Sequence, residues 1–275
     1  YQRIEQMLTA KDKHSIADMR AMQADDLSLA ALRLLPLLKQ AAPEHPLAAA
    51  AQRELAAFDG RMAGNKPAPL IFWAWVRHLA HDLFADEMGA TVWDSSTRAW
   101  REALQGVMDR QDAWWCDDKT TPAVETCAQI NNRALARALD ELQAAQGADV
   151  AAWRWDRVHQ ARSEHRPFSK VAALARWFEL RAPVGGDTYT VNVSRVNLKP
   201  DLTTGELYLD EHGPSLRAIY DLGDLANSRF MHSTGQSGIA LSPHYRSFVE
   251  RWAKVDYAPL WSAPAVQTLL LEPRR

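Results

Sequence analysis

The sequence predicts an α+β fold in which a long helical region is followed by strands and one closing helix. Apolar residues recur at helical spacing almost throughout residues 1–182. After Pro183 the pattern changes to short runs rich in Thr, Val and Tyr, punctuated by glycine. The strands are not interleaved with helices, which argues against a repeating βαβ wind. The expected organisation is therefore a mostly helical region over 1–182, then strands and a helix over 183–275.

Each element has its own signal. Leu27, Ala30, Ala31, Leu34, Leu35 and Leu38 follow the i, i+3, i+4, i+7 rule of an amphipathic helix, which Pro36 is expected to kink. Residues 45–58 are alanine-rich and helix-prone. Phe72-Trp73-Ala74-Trp75-Val76 opens another helix, reaching about Met88. Thr121 before Pro122 reads as a cap and first turn for a helix to about Ala145, stopped by Gly147. Gly185-Gly186 breaks the chain, and residues 187–196 carry a strand signature. Residues 202–209 read as a turn and strand around Gly205. Residues 215–222 alternate and end in the turn Gly223-Asp224; a further strand over 228–234 is closed by Gly235. Ser242-Pro243 caps a last helix through about Lys254.

Bulk properties narrow the function classes. The 275 residues suffice to bury a substantial core, and 47% hydrophobic with 24% charged residues fits a globular chain. Net charge is −2, from 32 basic and 34 acidic side chains, and no basic stripe runs along the sequence. Affinity for nucleic acid or an anionic membrane thus has no electrostatic support. Charge interrupts every apolar stretch before the roughly 20 residues that span a bilayer. Eleven tryptophans imply broad packed surfaces between elements or against another chain. Cys116 and Cys127 have the wrong spacing for a zinc knuckle or a CxxC redox pair. The spacing alone leaves a local disulfide and two buried thiols equally open.

Several residues invite a chemical reading. His78, His81 and Asp82 share one helix face and could present metal ligands, although a polar helix face accounts for them more simply. Asp117, Asp118 and Glu125 could hold calcium, but no glycine-spaced EF-hand loop surrounds them. Solvating the loop and favouring the next helix N-terminus is the simpler role. Gly235-Gln236-Ser237-Gly238 suggests Ser237 as a nucleophile, with His232, His244 and Asp221 or Asp224 nearby to complete a triad. It is one residue short of the G-x-S-x-G elbow. Gly185-Gly186 could approach an anion, but such a pair before a strand is usually a turn. His159 and His165, six apart, point to structure more than to ligation.

Four runs carry a family likeness. They are Trp153-Arg154-Trp155-Asp156-Arg157-Val158-His159 with His165-Arg166-Pro167-Phe168, and Gly185-Gly186-Asp187-Thr188-Tyr189-Thr190-Val191-Asn192. Then come Gly213-Pro214-Ser215-Leu216-Arg217-Ala218-Ile219-Tyr220-Asp221-Leu222, and Gly235-Gln236-Ser237-Gly238 with Ser242-Pro243-His244-Tyr245 and Trp252. In this order they resemble the end of the β subunit of the penicillin amidase family of N-terminal nucleophile hydrolases. Arg3-Ile4 and Gln23-Ala24-Asp25 resemble the helical middle of that subunit. Arg246 and Ser247 depart from the pattern, standing where the family tends to carry acidic or amide residues.

The resemblance implies that the chain contributes its helical region, strands and a helix to an αββα sandwich. It implies an amide hydrolase that cuts itself to expose a serine at the start of the β subunit. That serine's own α-amine, with a pKa of about 7.7–8.0, is poised for proton transfer near neutral pH. Residue 1 here is Tyr, so the nucleophile is expected in a segment outside this sequence. The family's oxyanion-stabilising asparagine and a site-organising arginine also fall upstream of the part matching Tyr1. No residue here is therefore assigned a catalytic, cofactor-binding or metal-binding role, and no cofactor is expected. The implied partners are the α subunit and the N-terminal part of the β subunit, with a small N-acyl substrate. That substrate is a β-lactam side-chain amide, as in antibiotic biosynthesis, an acyl-homoserine lactone, or another amide. The family is typically exported, which implies a periplasmic or secreted enzyme and favours a Cys116–Cys127 disulfide. The competing readings are a non-catalytic structural or interaction module, and a serine esterase using Ser237.

Overall fold

The structure, a computed structural model, describes residues 1–95, 101–261 and 269–271. Two short helices, α1 (Gln2–Leu8) and α2 (Ile16–Gln23), lead in, and Ser15 with Asp18 forms a capping box on α2. Next come α3 (Leu29–Gln40), which continues through Pro36, and α4 (Ala48–Ala56). The core is organised by α5 (Ala68–Ser95). From Ala68 to Val76 every residue of α5 is buried, so the helix is apolar all round and other helices pack about it. Gly89, at φ 70°, breaks it just after Met88, where the sequence predicts its end.

The helices α6 (Arg101–Arg110) and α7 (Ala113–Cys116) lead to α8 (Cys127–Gln146), which lies along α5. Asn131 of α8 ties three helices together, accepting from Trp75 Nε1 at 2.8 Å and donating to the Leu37 carbonyl at 2.8 Å. A Cys116–Cys127 disulfide joins α7 to the start of α8. Gly147 ends α8 as the sequence predicts, but the helix begins at Cys127 rather than at Thr121-Pro122. Two local arrangements explain the difference. Thr126 and Gln129 form a reciprocal capping box, and upstream Asp118 binds the Thr120 N–H while the Thr121 hydroxyl donates to Glu125. Such side-chain bonds compete directly with a helical ladder.

Beyond α8 the architecture becomes mixed. Strand β1 (Gln160–Ser163) is followed by α9 (Ala172–Phe178) and strand β2 (Leu180–Pro183). The two strands pair antiparallel, Gln160 opposite Pro183, a pairing that their sequences QARS and LRAP do not advertise. Strands β3 (Leu216–Ile219), β4 (Arg229–His232) and β5 (Ala258–Pro259) make a second antiparallel sheet in the order β3-β4-β5. The α10 helix (Val249–Ala253) crosses between β4 and β5. The predicted strands over 215–222 and 228–234 are found at β3 and β4. The predicted last helix is split into a 3₁₀ turn over Pro243–Tyr245, capped by Ser242, and α10.

Residues 187–196 do not form the predicted strand. Asp187 accepts the Tyr189 N–H at 2.7 Å, and the Thr190 hydroxyl bonds the Asp187 N–H and the Asn192 carbonyl, folding the segment on itself. Only Val196 reaches an isolated bridge, with Asp210. Residues 202–209 form no strand either; Asp201 gathers the N–H groups of Thr203 and Thr204 into a turn that its backbone closes onto Gly205 and Glu206, and Asn197 pairs with Tyr208 and Leu209. The α+β class, with helices preceding strands, nevertheless stands. Val196, Leu198 and Tyr208 join the main core of the helices, whereas Val184, Ile219, Met231, Trp252 and Tyr257 form a second core beneath β3 and β4.

Candidate functional site

The polar residues singled out from sequence fall into three centres. The first lies where α5 meets α8. Asp82, almost fully buried, receives Arg137 and Arg133, the latter at 3.3 Å, and lies 3.1 Å from His81 Nδ1. His78 turns instead to Glu141, 3.0 Å away, which also binds Arg77 at 2.5 Å and the Tyr208 hydroxyl. Burial tends to raise the Glu141 carboxyl, but the bonds from His78 and Tyr208 outweigh it and the pKa is lowered. His78, His81 and Asp82 thus serve two ion-pair networks, and no metal-holding group occurs among the described residues.

The supposed calcium residues join the same arrangement. Arg133 reaches Asp118 at 2.7 Å and Glu125 at 3.2 Å, while Asp117 binds Lys119 at 2.5 Å. A guanidinium therefore lies among the carboxylates that a cation would require. Arg133 and Arg137 went unremarked in the sequence; their i, i+4 spacing on α8 was the available signal.

A second centre is buried beside β1. Ser194 donates to Asp210 at 2.7 Å, and His159 Nδ1 donates to the Tyr208 carbonyl at 2.6 Å. His159 is stacked on Trp155, with ring centroids 4.2 Å apart, and its Nε2 finds no partner among the described residues. Burial lowers its pKa, so the ring is held neutral. Serine, histidine and carboxylate are neighbours here, yet the serine proton goes straight to the carboxylate. This is a cohesive lock, with no nucleophile–base relay. Arg217 nearby is also buried, donating to Asn192 Oδ1 at 2.5 Å and to the Trp252 carbonyl at 3.3 Å. The ring of His165 packs against Phe168 and Phe178, away from any ligand geometry.

The third centre holds Ser237. Its Oγ accepts the Ile239 N–H at 3.1 Å, and the His244 carbonyl takes the N–H groups of Gln236 and Ser237. His232 Nε2 accepts from the Gln236 amide at 2.7 Å, while Asp221 caps the turn at Gly223 and Asp224. Among the described residues no histidine ring hydrogen-bonds to the Ser237 hydroxyl, so the triad is not assembled. Gly235 is required by packing, since a Cβ there would meet the His244 carbonyl at 1.9 Å. Gly185-Gly186 likewise marks a close backbone approach: a Cβ on Gly185 would lie 2.8 Å from the Met62 carbonyl, whose oxygen accepts the Gly186 N–H.

Fold and sites together describe an α+β segment whose polar centres hold helices and loops in place, with no nucleophile and base in contact among the described residues. The family model for penicillin amidase matches residues 1–267, and the chain belongs to that family. It is 26% identical to the acyl-homoserine lactone acylase QuiP of Pseudomonas aeruginosa, covering 93% of this chain and 33% of that protein. It is 26% identical to a penicillin acylase 2 proenzyme of Pseudomonas sp. (strain SE83), covering 94% of this chain and 32% of the relative. Among solved structures, a thermostable penicillin G acylase from Alcaligenes faecalis aligns with a TM-score of 0.49 at 17% identity, covering 100% of this chain and 52% of that one. The chain thus spans about a third of the length of the curated relatives it matches.

Proposed function

We propose that the chain is the C-terminal half of the β subunit of an acylase that hydrolyses an N-acyl amide, such as an acyl-homoserine lactone or a β-lactam side chain. The observation that carries this reading is the family match across residues 1–267. The complete enzyme attacks the amide with an N-terminal serine supplied by another segment, forms an acyl-enzyme and releases the acid through water. This chain contributes the helical region over 1–182 and the strands and helix over 183–275 to the αββα core. An exported, periplasmic or secreted enzyme accords with the Cys116–Cys127 disulfide.

The partners are the α subunit and the preceding part of the β subunit. Strand β3 is an edge strand, and its Leu216 and the following Tyr220 and Leu222 are exposed. Unpaired edges and contiguous apolar surface recruit a covering layer. The test is to express the chain alone and together with the segments that precede it in its enzyme. Hydrolysis of an acyl-homoserine lactone and of a phenylacetyl amide is then followed by release of the amine. Turnover is expected only from the assembled protein, and it should survive Ser237→Ala. Turnover by the 275-residue chain alone, abolished by Ser237→Ala, would overturn the reading in favour of an esterase.

A further inference from the structure

A cleft of about 290 Å³ opens beside α5, walled by Arg77, His78 and His81 of that helix, Arg137 of α8, Trp93 and Lys199. Its charges are arranged in two layers. The carboxylates of Asp82 and Glu141 lie behind, with side chains 1% and 20% exposed, and engage the inner ends of the two arginines and two histidines. The outward ends line the cleft. Arg137 spends one nitrogen on Asp82, its guanidinium finds no other acceptor among the described residues, and its side chain is 44% exposed.

Lys199 lines the same cleft, its ammonium 4.0 Å from the centre of the Trp93 ring. No described carboxylate forms an ion pair with it. Burial holds its pKa below the ordinary value; Asp94 opposes this and the neighbouring Arg77 adds to it. Asp94 is the one carboxylate among the lining residues, so the wall presents more positive than negative charge. Trp93 is brought here by the Gly89 break in α5 and packs edge-on against His81, 5.6 Å between centroids.

Fixed donors with spare N–H groups, an ammonium without an ion-pair partner and a flat aromatic wall are the parts of an oxyanion site with an apolar shelf. We infer that this cleft binds a small carboxylate with a flat apolar body, its oxygens between Arg137 and Lys199 and its body along Trp93. Asp94 sits at the edge as a repulsive residue that limits affinity.

The experiment is titration calorimetry of the full chain with benzoate, using benzylamine as the opposite-charge control of the same shape. Benzoate should bind and benzylamine should not. Lys199→Met removes a charge-assisted contact and should weaken benzoate about tenfold, whereas Asp94→Asn should tighten it. Arg137→Gln should also weaken binding, but it breaks the Asp82 ion pair, so Lys199→Met, which breaks none, decides the matter. Equal thermal melts of Lys199→Met and the parent exclude misfolding as the cause. Absence of benzoate binding, affinity unchanged by Lys199→Met, or preference for benzylamine would each overturn the assignment.

Discussion

The Ser194 hydroxyl donates to the Asp210 carboxylate at 2.7 Å, and both side chains are sealed from solvent. The other carboxylate oxygen takes the His212 N–H at 2.9 Å, and the Asp210 backbone bonds Gln160 and Arg162 of β1. One residue thereby ties Ser194 and His212 through its side chain and β1 through its backbone. Ser194→Ala leaves a buried carboxylate oxygen without its donor and should cost about 1–3 kcal/mol in chemical denaturation. Turnover per folded molecule in the assembled enzyme should not change, since the hydroxyl serves cohesion. A loss of turnover without a loss of stability would contradict this.

Arg133 joins three carboxylates from different segments: Asp82 on α5, and Asp118 and Glu125 in the loop before α8. Arg133→Met keeps much of the packing and removes one of the two guanidinium partners of Asp82, whose side chain is 1% exposed. Arg137 continues to pair with Asp82, and Arg133 is partly solvated, so we expect a loss of about 2 kcal/mol rather than the 3–5 of a fully buried pair. Hydrogen exchange should show the 117–126 loop opening first. Unchanged protection there would refute the role given to Arg133.

The Cys116–Cys127 bridge closes a short loop, with a sequence separation of 11. In the chain-entropy account, a loop of this size stabilises by roughly 3 kcal/mol. Reduction, or replacement of both cysteines by alanine, should lower the denaturation midpoint accordingly. Unreduced, denatured protein should yield no alkylated thiol; two modified cysteines by mass spectrometry would show that the bridge does not form.

Asp187 is buried, and burial raises its pKa from 3.8 to about 6 against the opposing bonds from the Tyr189 N–H and its neighbours. Between these values the folded protein keeps a proton that the unfolded chain has released. This group's contribution is therefore fully present below about pH 4 and lost as pH rises through about 6. Carboxylates with lowered pKa, such as Asp201, slope the opposite way, so the difference between parent and Asp187→Asn isolates the effect. The variant should gain stability relative to the parent as pH rises from 4 to 7. A difference independent of pH would disprove the assignment.

Much of the architecture was legible locally. A helix buried on all sides needs an apolar run such as Leu70 to Val76, and a terminus such as Gly147 needs a residue free to take φ 86°. The strands at β3 and β4, and the likeness carried by the runs ending at Trp252, were likewise present in the order of residues. The family membership that the likeness implied holds across residues 1–267.

What the sequence left undecided depended on contacts between distant residues or on rival local bonds. Strands β1 and β2 pair across α9, and their side chains carry little strand preference, so only the returning chain defines them. Thr190 and Asp187 look like strand residues until their oxygens capture nearby backbone groups, and Thr121-Pro122 looks like a helix start until Asp118 and Glu125 claim the loop. The serine motif could be read from Gly235 to Gly238, but whether Ser237 meets a histidine depends on geometry across the chain. A local bond occupies its hydroxyl with the Ile239 N–H, and tertiary structure gave a buried carboxylate, Asp210, to Ser194 instead. Local pattern sets which element can form, whereas hydrogen-bond satisfaction in the folded interior decides which side chains meet.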